Sequence, residues 1–291
     1  MNFQGKLERI VKNNNSLLCV GLDSDLERVT GKYKKLKHPQ FEFNRWIIDQ
    51  THDLVCAYKP NSAFYEAEGL KGTLALKFTC HYLKKNYPQI PIILDAKRGD
   101  IGSSNKGYVK FAFDFLGVDA ITLHPYLGRE SLTPFLELKD KGLFILCHTS
   151  NLGANELQDL NVIPGGKAAP ESLFDSGRAR YSLARMTDKI PLYRYVAKRV
   201  AEEWNRNGNC MLVVGATYPK ELKEIRKITG ERTILIPGIG AQGGDVEKTV
   251  KAGLNSKKKG IIVNSSRGII FSENPRTEAK KLRNKINFYR I

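Results

Sequence analysis

Eight short apolar runs recur along the chain. They are SLLCVGLD (16–23), LVCAYKP (54–60), PIILDAK (91–97), DAITLHP (119–125), LFILCHT (143–149), MLVVGAT (211–217), TILIPGI (233–239) and GIIVNSS (260–266). Near-continuous apolar runs of this kind mark strands covered on both faces, as in a parallel sheet. Stretches of helical periodicity lie between them: FNRWIIDQTHDLV (43–55), YVKFAFDFLG (108–117) and SLTPFLELKDKG (131–142). A fourth, KELKEIRKITG (220–230), ends in the Gly expected just past a helix. This alternation predicts an α/β fold, a (β/α)8 TIM barrel spanning 1–291 as a single domain. One interval is too long for a crossover. Residues 151–190 read as an insertion after strand five, rich in Gly, Pro, Ser and Asn, with helix resuming at about Leu192. A lid, an interface arm or a mobile loop would each suit that composition.

The strands end in polar residues. Asp23 follows strand one, Lys59 and Asn61 strand two, Asp95 and Lys97 strand three, and His124 strand four. His148, Thr149 and Ser150 follow strand five, Pro237 to Gly240 strand seven, and Asn264 to Arg267 strand eight. In a barrel of this class the C-terminal strand ends form the active-site rim. Loops are polar in any protein, which accounts for Ser, Asn and Gly. It accounts poorly for Lys59, Asp95 and Lys97, which follow unbroken apolar runs.

In IILDAKRGDIGSS (92–104), Asp95 and Lys97 stand two apart, so on an extended strand they share a face. Asp100 lies past the strand, where the chain turns away, and a neighbouring subunit's pocket is within its reach. An alternating array of Lys59, Asp95, Lys97 and Asp100 compensates its own charge and keeps Lys97 protonated, available as an acid. A purely structural ion-pair network is the alternative. The second cluster is PGIGAQGGD (237–245) with VNSSRGI (263–269). Glycines let a backbone approach an anion closely, loops after strands seven and eight are the usual phosphate site of the barrel, and Arg267 adds a bidentate cation. A tight turn is the plain alternative. Together the clusters imply a phosphorylated small substrate with chemistry beside a lysine.

Composition narrows the classes. The formal charge of +17 suggests nucleic acid, but the basic residues are dispersed, and KKK (257–259) and KKLRNK (280–285) carry no interleaved aromatics for base stacking. A lysine-rich surface that attracts small anions fits better. No run reaches the length of a membrane span, and the N-terminus lacks the apolar core of a secretory signal. The five cysteines are scattered, odd in number and without C-x-x-C, as expected for buried thiols in a reducing cytoplasm. No His, Cys or carboxylate grouping has metal-ligand spacing, and no G-x-G-x-x-G follows the first strand.

At this point the motifs resemble a known family. LDAKRGDIGSS carries the D-x-K-x-x-D signature of orotidine 5'-phosphate decarboxylases, in the longer-chain subclass with D-A-K-R-G-D. GLD (21–23), YKPNSAFYE (58–66), CHTSN (147–151), PGIGAQGGD and NSSRGI follow in the family's order. Ser104 stands where many members carry Thr. The resemblance implies decarboxylation of orotidine 5'-monophosphate to uridine 5'-monophosphate, the last step of de novo pyrimidine nucleotide synthesis. It implies no metal or organic cofactor, and a homodimer whose sites are shared. Lys59, Asp95 and Lys97 would come from one subunit, and Asp100 with Ser104 from its partner. Asp23 and Lys59 would bind ribose hydroxyls with Asn61 nearby, and Thr149 and Ser150 would contact the pyrimidine. Pro237 and Gln242 would close over the substrate, Gln242 and Arg267 would hold the phosphate, and Asn264 would join the binding residues. Two rivals remain: a metal-dependent decarboxylase of a keto-sugar phosphate on the same barrel, which shares the signature, and a basic RNA-binding protein without activity.

Overall fold

Each apolar run contributes one parallel strand. In the computed structural model, which describes residues 1–163, 189–239 and 243–290, these are β1 (Leu18–Gly21), β2 (Ala57–Lys59), β3 (Ile93–Arg98) and β4 (Ala120–Leu123), followed by β5 (Gly142–His148), β6 (Cys210–Val214), β7 (Ile234–Ile236) and β8 (Ile261–Ser265). The order across the sheet is β2, β1, β8, β7, β6, β5, β4, β3, every pair parallel. The ends meet through bridges of Tyr58 to Ile92 and Asn61 to Asp95, supported by Tyr58 N to Pro91 O at 3.0 Å and Asp95 N to Pro60 O at 2.9 Å. The sheet therefore closes into a barrel. Every residue of β1, β4, β6 and β8 is buried, as expected where one face fills the barrel and the other meets helices.

Helix α1 (Phe3–Asn13) lies across the strand starts and closes the face opposite the rim. Asn2 caps it by accepting from Gly5 N at 3.0 Å, Phe3 packs edge-on against Phe144, and Lys6 pairs with Asp119 at 2.8 Å. The outer layer includes α2 (Pro39–Thr51), α3 (Gly69–Asn86), α4 (Gly102–Val109), α5 (Leu192–Arg199), α6 (Pro219–Thr229), α7 (Val246–Gly253) and α8 (Pro275–Phe288). In α8 the basic stretch 280–285 turns Lys280, Lys281 and Lys285 to solvent. All five cysteines are free and buried. Among the described residues no helix is long and apolar enough to cross a membrane.

Two expectations change. SLTPFLELKDKG (131–142) is not one helix: it holds a single turn, Thr133–Leu136, preceded by another at Gly128–Ser131. The side-chain amides of Asn207 and Asn209 donate to the carbonyls of Leu136, Leu138 and Lys141, which a continuing helix would have bonded internally. The insertion is partly described. Residues 155–158 form a short helix, and Asn161–Val162 pairs antiparallel with Ile190–Pro191. Residues 164–188 lie outside the described residues.

Candidate active site

The chemistry of the rim starts from an irregularity in β3. The pairing with β4 shifts register between Leu94 and Arg98, and Lys97 sits at φ +48°. Asp95 and Lys97 are thus not placed by simple extended alternation. A left-handed conformation is costly for a residue other than glycine, and here three bonds hold it. Lys97 N donates to Thr122 Oγ1 at 2.9 Å, Thr122 Oγ1 donates to Asp95 Oδ1 at 2.9 Å, and Lys97 Nζ reaches the same oxygen at 2.8 Å. On the other side Lys59 Nζ donates to Asp95 Oδ2 at 2.7 Å.

The array is graded in exposure. The side chain of Lys59 is 4% exposed, that of Asp95 12% and that of Lys97 48%. Burial alone would raise the Asp95 carboxyl, but the Lys59 and Lys97 ammonium groups and their hydrogen bonds outweigh it and hold it well below the usual carboxylate range. Burial alone would lower Lys59, but the carboxylates of Asp95 and Asp23 outweigh it and hold the ammonium charged. Both oxygens of Asp95 are engaged by cations or a hydroxyl, so this carboxylate is poorly placed to ligate a metal. Among the described residues no group of three or more His, Cys, Asp or Glu side chains gathers as a metal site.

The array opens into a cavity of about 480 Å³, within the range of small-ligand sites. Asp23, Asn61, Thr149, Ser150, Pro237, Asn264 and Arg267 line it together with Lys59, Asp95 and Lys97. Asp23 Oδ1 and Asn264 Oδ1 are buried without a partner among the described residues. Gly21 is required beneath the rim, because a Cβ there would overlap Ser266 Oγ. The Arg267 side chain makes no ion pair among the described residues and is exposed at the cavity edge.

Asp100 and Ser104 do not line this cavity in their own chain. Asp100 Oδ1 accepts from Ile101 N at 2.7 Å, and its backbone N–H donates to Asn105 Oδ1 at 3.0 Å. The loop before it passes so close to His124 that a Cβ on Gly99 would lie 2.6 Å from the ring, and Gly99 O bonds His124 Nε2 at 2.8 Å. Gln242 lies outside the described residues. His148 does not line the cavity either; it is buried against Tyr193 and Tyr218 and bonds Asp159 at 2.8 Å.

Sequence reasoning missed Thr122 and Gln158, and met Asn151 and Ser266 only as members of the CHTSN and NSSRGI motifs, with no role assigned to either. Thr122 left a faint signal, as the one hydroxyl inside the apolar run DAITLHP. Gln158 left none, because nine residues separate it from Thr149, whose amide and hydroxyl it binds at 2.7 and 2.8 Å.

Residues 16–175 match the family model described as orotidine 5'-phosphate decarboxylase / HUMPS family. The chain is 44% identical over 299 residues to an orotidine 5'-phosphate decarboxylase of Cellvibrio japonicus, covering 100% of both. It is 44% identical over 294 residues to the one of Thermomicrobium roseum, covering 98% of this chain and 95% of the relative. The solved structure of Leishmania donovani OMP decarboxylase superposes with a TM-score of 0.81 at 37% identity, covering 100% of this chain and 99% of that one.

Proposed function

The chain belongs to the orotidine 5'-phosphate decarboxylase / HUMPS family; it is a carboxy-lyase that converts orotidine 5'-monophosphate to uridine 5'-monophosphate in pyrimidine biosynthesis, and we propose that Lys97 delivers the proton to C6. Losing CO2 from C6 leaves a carbanion-like centre with no adjacent electron sink. An ammonium at the cavity wall stabilises that charge and then quenches it. The observation that carries this reading is Asp95 held between two ammonium groups, one sealed at Lys59 and one half exposed at Lys97. Lys59 fixes the carboxylate as an anion, and the carboxylate aims the Lys97 side chain.

Arg267 at the cavity edge takes the phosphate, and Asp23 and Lys59 take the ribose hydroxyls, with Asn61 nearby. Phosphate binding far from C6 supplies energy that is expressed in the transition state. Asp100 and Ser104, which stay out of the cavity of their own chain, enter the site of a second copy, making the working unit a homodimer. The buried free thiols suit a reducing cytoplasm.

The test is ultraviolet absorbance of orotidine 5'-monophosphate mixed with the purified chain in excess EDTA. Conversion to the uridine 5'-monophosphate spectrum supports the reading. No conversion in EDTA, but turnover of a keto-sugar phosphate with Mg2+, would move the chain to its metal-dependent relatives.

A further inference from the structure

The barrel departs from regular pairing at a second strand. Between β5 and β6 the register shifts from Leu146 to His148, as it does between β3 and β4 near Lys97. Strict alternation on β5 would turn Leu146 and His148 inward and Cys147 and Thr149 outward. The structure instead sets Leu146 and Thr149 against the cavity. Both residues between them face the helix layer. Cys147 Sγ donates to Tyr193 O on α5 at 3.2 Å. The His148 ring is fully buried and meets two tyrosines edge to face, Tyr193 at 4.8 Å and Tyr218, just before α6, at 4.2 Å between centroids. We infer that His148 is a positioning residue: clasped outside the barrel by Asp159, it holds the bulge that turns Thr149 into the cavity and pins residues 149–160 over the rim.

The clasp is one bond to a returning chain. His148 Nε2 and Asp159 Oδ1 are 2.8 Å apart. A carboxylate accepts, so Nε2 carries the proton. Nδ1 is buried with no partner among the described residues, so the bond to Asp159 is what orients the ring. The bulge is held from the other side by β6. Gly215 N donates to His148 O at 2.7 Å, and only glycine allows this approach, since a Cβ there would lie 2.7 Å from Ser150 N. A slip of one residue would reverse both faces, bringing the imidazole into the cavity and taking Thr149 out. The imidazole itself lines no part of the cavity, so its effect on turnover runs through position. That effect rests on the substrate site proposed above; the clasp does not.

The test is steady-state kinetics on orotidine 5'-monophosphate with hydrogen–deuterium exchange of residues 149–160, for the full chain, His148→Leu, Asp159→Ala, their double variant and His148→Gln. Each broken clasp is expected to raise KM at least about tenfold, with a smaller loss in kcat, and to speed exchange of the segment at least about tenfold. The double variant should be no worse than the worse single, because both remove the same bond. His148→Gln keeps an amide N–H for Asp159 and should bring KM to within about threefold of the parent. An unchanged KM in Asp159→Ala, or effects that add in the double variant, overturns the inference. His148→Gln as impaired as His148→Leu places the effect in ring packing and overturns it too. If His148→Leu fails to fold, Asp159→Ala decides, since that side chain is half exposed. A parent that leaves orotidine 5'-monophosphate intact sinks the proposed substrate, and exchange then decides the clasp by itself: faster exchange in Asp159→Ala keeps it, and equal exchange overturns it.

Discussion

Thr122 and Lys97 are joined through the backbone: Lys97 N donates to Thr122 Oγ1 at 2.9 Å, and the same hydroxyl donates onward to Asp95 Oδ1 at 2.9 Å. One buried side chain thus holds both the left-handed backbone of Lys97 and the carboxylate that binds its ammonium. Thr122→Val keeps the volume and removes both bonds. It leaves the part-buried Lys97 N–H without its partner and lets Lys97 wander. The expected result is a kcat reduced by about tenfold or more with KM little changed. Steady-state kinetics checks this, and an unaltered kcat contradicts it.

Arg267 stands apart from the array at the cavity edge. Arg267→Ala is expected to raise KM by at least about tenfold and to lower kcat by a smaller factor, because part of the phosphate's binding energy is already made with bound substrate and the rest is expressed in the transition state. An unchanged KM places the phosphate elsewhere.

Asp95 carries a pH dependence whose sign follows from its lowered pKa. The folded chain binds this proton less readily than the unfolded chain does. Its stabilising contribution is therefore full above the ordinary carboxylate range, near pH 4, and is lost as pH falls through the folded value. Asp95→Asn lacks this contribution. The stability gap between parent and variant should narrow as pH drops from about 5 to about 2. Urea unfolding across that range measures it, and a constant gap contradicts the assignment. Lys59 acts with the opposite sign: its raised pKa gives a contribution lost only as pH rises through the folded value.

Asp100 lies outside the cavity of its own chain, and the proposed dimer brings it into the partner's. Lys97→Ala and Asp100→Ala chains, each inactive alone, should regain activity on mixing. Random exchange makes half the dimers hybrids, and each hybrid has one intact site of two, so about a quarter of parent activity is expected. No recovery, with exchange confirmed by mass spectrometry, contradicts a shared site.

Lys59, Asp95 and Lys97 were legible because charges directly after apolar runs have few structural uses. The strand positions were legible for the same reason that they are buried: both faces of each strand meet apolar neighbours. The bulge at Lys97 was not, since its left-handed turn depends on a hydroxyl 25 residues away on β4. Nor was Gln158, whose role depends on the chain folding back to Thr149 after the rim. The broken helix at 131–142 was hidden similarly, because Asn207 and Asn209 compete for its carbonyls from the approach to β6. What escaped is in each case a bond between a side chain and distant backbone, which leaves no periodic trace in sequence.

The most direct measurement is single-turnover loss of orotidine 5'-monophosphate absorbance by Lys97→Ala beside the parent, with folding and uridine 5'-monophosphate binding verified for both. Lys97 as charge stabiliser and proton donor predicts a fall of more than about a thousandfold in the variant. Turnover within about tenfold of the parent would place the proton donor elsewhere and contradict the mechanism.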